Sequence, residues 1–305
     1  MTTKQKAYTG LLATSIIWGT SWVASKIAVK GGVPGLEVAA IRQFLGGILF
    51  VSFFLLRGQP LPTRKQLLWL TGMGTLLFVI ANGLATVALR YIPSGLAALI
   101  AALYPLSVVI IERIAFRNTK ITWVTFLGLV LGITGIGIVF YDNAFHNQPE
   151  GYIFGLILSL IAMLSWSIGT IIIARNKVKI NAYYATGWQM LLASFLLMIM
   201  TLVSGNNIPI PSIATSTWLA IAYLVFVSSI VAFVAFIYTM KHLEPAIAAL
   251  YAYINPIVAI LTGAVLMNEK LTIDIFIGSI ITLLGVFLVN RSLKKQREEA
   301  LSEVE

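Results

Sequence analysis

Ten apolar runs of about 20 residues each occupy most of this chain, at 8–28, 36–56, 67–89, 94–114, 121–140, 152–174, 184–204, 217–239, 246–266 and 272–290. A helix needs roughly 20 apolar residues to cross the hydrocarbon core. Lipid offers no hydrogen bonds, so each span must satisfy its own backbone, which a helix does alone. Only 10% of the 305 residues are charged and 59% are hydrophobic. A soluble domain carries about 25% charged residues. The fold class that follows is an all-α membrane protein of ten transmembrane helices. The longest polar linkers, 141–151 and 205–216, are too short for a separate soluble domain. No small-residue cleavage pattern follows the first run, which reads as a retained helix and not a signal peptide.

The net charge is +10. In a soluble protein such an excess suggests nucleic acid. Here the basic residues form short clusters between apolar runs, the pattern of cytoplasmic loops, and no nucleic-acid partner is expected. With the N-terminus inside, sixteen Lys and Arg fall on the inner side, among them Arg117, Lys120 and Lys177. The outer side holds three, Lys30, Arg90 and Lys270. Both termini are therefore expected in the cytoplasm of a multi-pass protein in a cell membrane, of the bacterial inner-membrane kind. There is no cysteine, and His146 and His242 have no second ligand at helical spacing. Neither a metal nor another cofactor is expected.

The two halves of the chain resemble each other. Arg90 to Pro105 is a fifteen-residue step, as is Lys241 to Pro256. NTKIT at 118–122 parallels NEKLT at 268–272, and Phe126, Gly128, Gly135 and Val139 recur 150 residues later as Phe276, Gly278, Gly285 and Val289. Trp18 pairs with Trp166, and Gln43 with Gln189. Residues 8–140 and 152–291 thus form two repeats of five spans. An odd span count inverts the second copy. Inverted repeats place a substrate site near the midplane at their interface and favour alternating access.

At this point the residues carry a family likeness. WGTSWVASK at 18–26, AAIRQFLGG at 39–47, ALRYIPSGLAALIAALYPL at 88–106 and the hairpin from Tyr238 to Thr272 resemble the EamA-type members of the drug/metabolite transporter superfamily. The resemblance implies two five-helix bundles around a central cavity, lined by helices 1–4 and 6–9, with helices 5 and 10 outside. It also implies movement of small metabolites, often export of amino acids or related compounds.

Trp18, Trp22 and Lys26 lie at i, i+4 and i+8, on one helix stripe. Each has a plain alternative: helix packing or interfacial anchoring for the tryptophans, snorkelling for Lys26. Arg42 is the seventh residue of its helix, roughly 9 Å deep at about 1.5 Å per residue. A charge there faces protein or water. It either reads a substrate or ties helices together through carbonyls. Gln43 and Gln189 are substrate contacts or interhelical glue. Asn82, Tyr104, Trp166, Tyr251 and Asn255 suit a modest cavity with a few orienting groups. Pro105 and Pro256, in equivalent helices, remove a backbone hydrogen bond and predict kinks. Gly128 and Gly132 predict close helix packing or a dimer surface, in a monomer or homodimer.

Acids are absent from mid-span, so coupling through a buried acid is not supported. Three functions compete. The first is a small-metabolite exporter with alternating access. A broad-specificity exporter of cationic drugs would want an embedded acid as counter-charge. An intramembrane lipid-modifying enzyme would need a cluster of acids or histidines.

Overall fold

The computed structural model describes the chain except residues 117–120, 146–149, 176–177, 206, 244, 249 and 303–305. The loop residues Arg117, Lys120, His146 and Lys177, and most of the NTKIT segment, lie outside the described residues. Every element described is helical.

The main helices are α1 (Thr3–Lys30), α2 (Gly35–Leu56), α3 (Arg64–Ala88), α4 (Ser94–Ala115), α5 (Trp123–Phe145), α6 (Tyr152–Arg175), α7 (Ala182–Val203), α8 (Thr215–His242), α9 (Tyr251–Met267) and α10 (Ile273–Ser302). Among the described residues, seven of them are long and apolar enough to cross a bilayer: α2, α3, α4, α6, α7, α8 and α10. Two shorter apolar helices, Trp123–Val139 within α5 and Tyr251–Met267, join them. Leu, Ile, Val and Phe side chains stay exposed along these helices, as on Ile133, Phe226, Val265 and Phe276. A lipid-facing surface accounts for them without a water-facing apolar patch.

Local sequence sets the ends. Thr2 and Thr63 cap α1 and α3, each in a reciprocal box with a glutamine three residues on, Gln5 and Gln66. The Asn181 carboxamide accepts from the Tyr183 and Tyr184 amides at the start of α7. Such caps satisfy amides that the first helical turn leaves free. At the end of α9, Asn268 adopts the left-handed conformation (φ 53°), which Asn tolerates better than most residues.

Helices α3 and α8 each widen into a π-helical stretch, Thr75–Gly83 and Tyr223–Val231. Hydropathy carries no signal for such a stretch. The two prolines behave less alike than their equivalent positions suggest. α4 breaks after Ala101 and restarts at Tyr104, with Pro105 in the new first turn. Pro256 lies inside α9 and deprives the Ala252 carbonyl of its intrahelical donor.

Helix α1 packs along α8 and α9, α2 along α7, and α5 along α10. The α5–α10 contact is glycine-mediated. A Cβ on Gly128 would lie 2.7 Å from the Gly285 carbonyl oxygen, and one on Gly278 2.6 Å from that of Gly135. Larger residues would push the helices apart. These glycines serve packing inside the chain.

Candidate functional site

The stripe on α1 faces inward. Trp18 and Trp22 border a cavity with Arg42 of α2, Asn82 of α3, Tyr104 of α4, Trp166 of α6, and Tyr251 and Asn255 of α9. Eight of the eleven residues singled out in the sequence thus meet at one space. It gives the centres of water-sized molecules about 170 Å³. One water needs roughly 10–15 Å³ on that measure, so the space suits a small organic molecule. Phe78, Met163, Phe233 and a run of alanines fill in the wall.

The aromatic wall is ordered by its own contacts. The Trp18 ring meets Phe233 and Tyr251 edge-on at 5.1 and 5.4 Å, and Phe236 at 4.9 Å. Its indole nitrogen donates to the Ser228 carbonyl at 3.2 Å. The Trp22 indole donates to Asn255 Oδ1 at 3.0 Å. An indole N–H only donates, so the Asn255 oxygen must face Trp22 and its NH₂ is left for other partners.

Arg42 is buried (7% exposed) and lines the cavity. Its Nε donates to Ser229 Oγ at 2.8 Å and its Nη2 to Ser228 Oγ at 3.0 Å. Among the described residues no carboxylate pairs with it, and it is the one charged group in the lining. Its positive charge therefore meets the cavity without a counter-charge in the wall.

Lys26, Gln43 and Gln189 are not brought into the lining. Gln43 is fully buried and donates through Nε2 to Asn82 Oδ1 at 2.9 Å, so it supports a lining residue from behind. Gln189 is buried where α3 and α7 touch, and a Cβ on Gly74 would lie 2.7 Å from its carbonyl oxygen. Lys26 has an acid partner: its Nζ lies 3.2 Å from Glu269 Oε1 and donates to the Ile92 carbonyl at 2.5 Å. The two side chains are 7% and 11% exposed. Glu269 also accepts from the Ser94 amide at 2.8 and 3.0 Å and from Ser94 Oγ at 2.9 Å, which caps α4. One latch thus ties α1, the start of α4 and the α9–α10 turn.

Sequence reasoning missed Ser228, Ser229 and Glu269. Serine in an apolar helix carries no distinctive pattern, and Glu269 sits in a short turn that reads as a solvated loop. Ser21 and Ser25 also line the cavity. They were legible in principle, each three residues beyond a tryptophan of the α1 stripe.

The EamA-like transporter family model matches the chain twice, at residues 5–141 and 153–291. The protein called "Uncharacterized inner membrane transporter YedA" in Escherichia coli strain K12 is 35% identical over 265 residues, covering 86% of this chain and 83% of its own length. "Uncharacterized transporter YoaV" of Bacillus subtilis strain 168 is 24% identical, covering 93% of this chain and 96% of its own. A solved crystal structure shares the fold, with a TM-score of 0.64 at 20% identity over 93% of this chain and 98% of that one. The two matches span nearly the whole sequence, and the chain belongs to the EamA-like transporter family, as a multi-pass membrane transporter.

Proposed function

We propose that this transporter moves a small metabolite, an amino acid or a related compound carrying a carboxylate, outward across the membrane by alternating access through the central cavity. The observation that carries the reading is the cavity itself, where mid-span aromatics and amides from six helices surround a buried Arg42 that has no acid partner among the described residues. A guanidinium presents a planar fork that matches a carboxylate bidentately. Trp18, Trp166 and Tyr251 supply walls for the apolar part of the substrate. Lys26 is engaged with Glu269, so the orienting role falls to Arg42 alone.

The same reading takes all ten helices as spans, in two inverted repeats, with both termini in the cytoplasm. The charge asymmetry of the loops and the matched landmarks support it. The cationic-drug reading lacks a counter-charge, since Arg42 in the lining would repel a cation. The lining, among the described residues, also holds neither histidine nor carboxylate for lipid chemistry.

The test is flux in proteoliposomes. The protein, reconstituted in vesicles loaded with labelled amino acids and other small carboxylates, should release at least one faster than empty vesicles. Arg42→Gln should slow that release roughly 10–150-fold, the loss of one charged hydrogen bond. Equal rates with and without protein across the panel would sink the proposal.

A further inference from the structure

We propose that Ser228 and Ser229 are specificity-determining residues, a neutral clamp that fixes the Arg42 guanidinium while leaving its charge for an oxyanion in the cavity. The inference rests on Arg42 facing the substrate, and it concerns why that arginine selects by charge.

Both serines are fully buried, and each accepts from a different nitrogen of the same guanidinium, Nε at 2.8 Å and Nη2 at 3.0 Å. A hydroxyl oxygen holds a donor by its lone pairs and brings no net charge. A carboxylate in the same place would hold it as firmly and cancel it. The molecule does use that second device elsewhere. Lys26 is paired with Glu269 away from the lining, and Arg175 with Glu112 at 3.1 Å. The cation held by hydroxyls is the one that lines the cavity. A guanidinium has five N–H donors, and the clamp takes two, so an edge remains for a ligand. An uncompensated buried charge is costly, and an occupant carrying one negative group relieves that cost where a neutral or cationic one does not.

The backbone explains how adjacent serines reach one group. Both lie in the π-helical stretch Tyr223–Val231. A wider turn separates successive side chains by a smaller angle than an α-turn does, and such stretches occur often at functional sites. The Ser228 carbonyl also receives the Trp18 indole, so this stretch supports both the charged and the aromatic part of the wall.

The probes are benzoate, benzamide and benzylamine, which share a ring and differ in charge. Their binding to full-length, monodisperse protein in detergent is measured by calorimetry. The wild type should bind benzoate roughly 10-fold or more tighter than benzamide, and benzylamine weakest. Ser229→Asn keeps a neutral acceptor and should keep that order. Ser229→Asp differs from it only in charge and should erase the benzoate preference. If S229D does not fold, Ser228→Asp makes the same comparison against Ser228→Asn. A wild type without charge preference, or an aspartate variant that keeps the benzoate preference, overturns the clamp. Failure of the transport reading looks different: benzoate is preferred in binding, yet vesicles show no flux of any solute.

Discussion

Removing one partner of the Lys26–Glu269 latch should destabilise the protein far more than removing both. Each side chain is about nine-tenths buried. Glu269→Ala leaves the Lys26 ammonium with the Ile92 carbonyl and no counter-charge, and strands the Ser94 amide and hydroxyl. Breaking a buried pair in this way costs about 3–5 kcal/mol. Lys26→Met strands the carboxylate but leaves its Ser94 donors in place, so its cost should fall at the lower end. The double variant Lys26→Met/Glu269→Leu keeps the volume and buries no charge. Its loss should be smaller than the sum of the single losses by about 2–3 kcal/mol, within the range of coupling seen for contacting residues. Unfolding by sodium dodecyl sulfate in mixed micelles, followed by tryptophan fluorescence, measures all four proteins. Additivity within about 0.5 kcal/mol would mean that the two groups do not interact, and would refute the latch.

Gly263→Ala should weaken the same latch, because its Cβ would lie 2.5 Å from Glu269 Oε2 and 2.7 Å from Ser94 Oγ. A loss of about 1–3 kcal/mol in the same unfolding assay is expected, and an unchanged midpoint would show that the turn has room. The topology has a direct test because the chain contains no cysteine. A thiol reagent confined to the outside should label a cysteine placed at Asn147 or Asn206 but not one at Lys177, and the opposite pattern would reverse the orientation.

How far the sequence reached depended on the kind of residue. Trp18, Trp166, Tyr251 and Asn255 stood out because each shares a helix stripe with a second aromatic or polar residue inside an apolar run, and all four line the cavity. Lys26 stood out by sharing the Trp18 and Trp22 stripe, yet its partner is a glutamate in a distant turn, and only the fold brings the two together. Gln43 lies one layer behind the wall, since neighbouring positions on a helix point about 100° apart and Arg42 takes the inward direction. The π-helical stretches left no trace in hydropathy, and the serine clamp depends on one of them. Pro105 and Pro256 predicted two similar kinks, but the chain restarts its helix at one and continues through the other.

The central claim is that one cavity opens to each side of the membrane in turn. Single cysteines at Ala98 and Ala162, both in the lining, test it in sealed vesicles of known orientation. An impermeant thiol reagent is added to one face or the other, with and without a transported carboxylate. The account predicts that each cysteine is reached from both faces, that the carboxylate slows labelling from either, and that Arg42→Gln removes this protection. Labelling from one face only, unchanged by any transported solute, would contradict it.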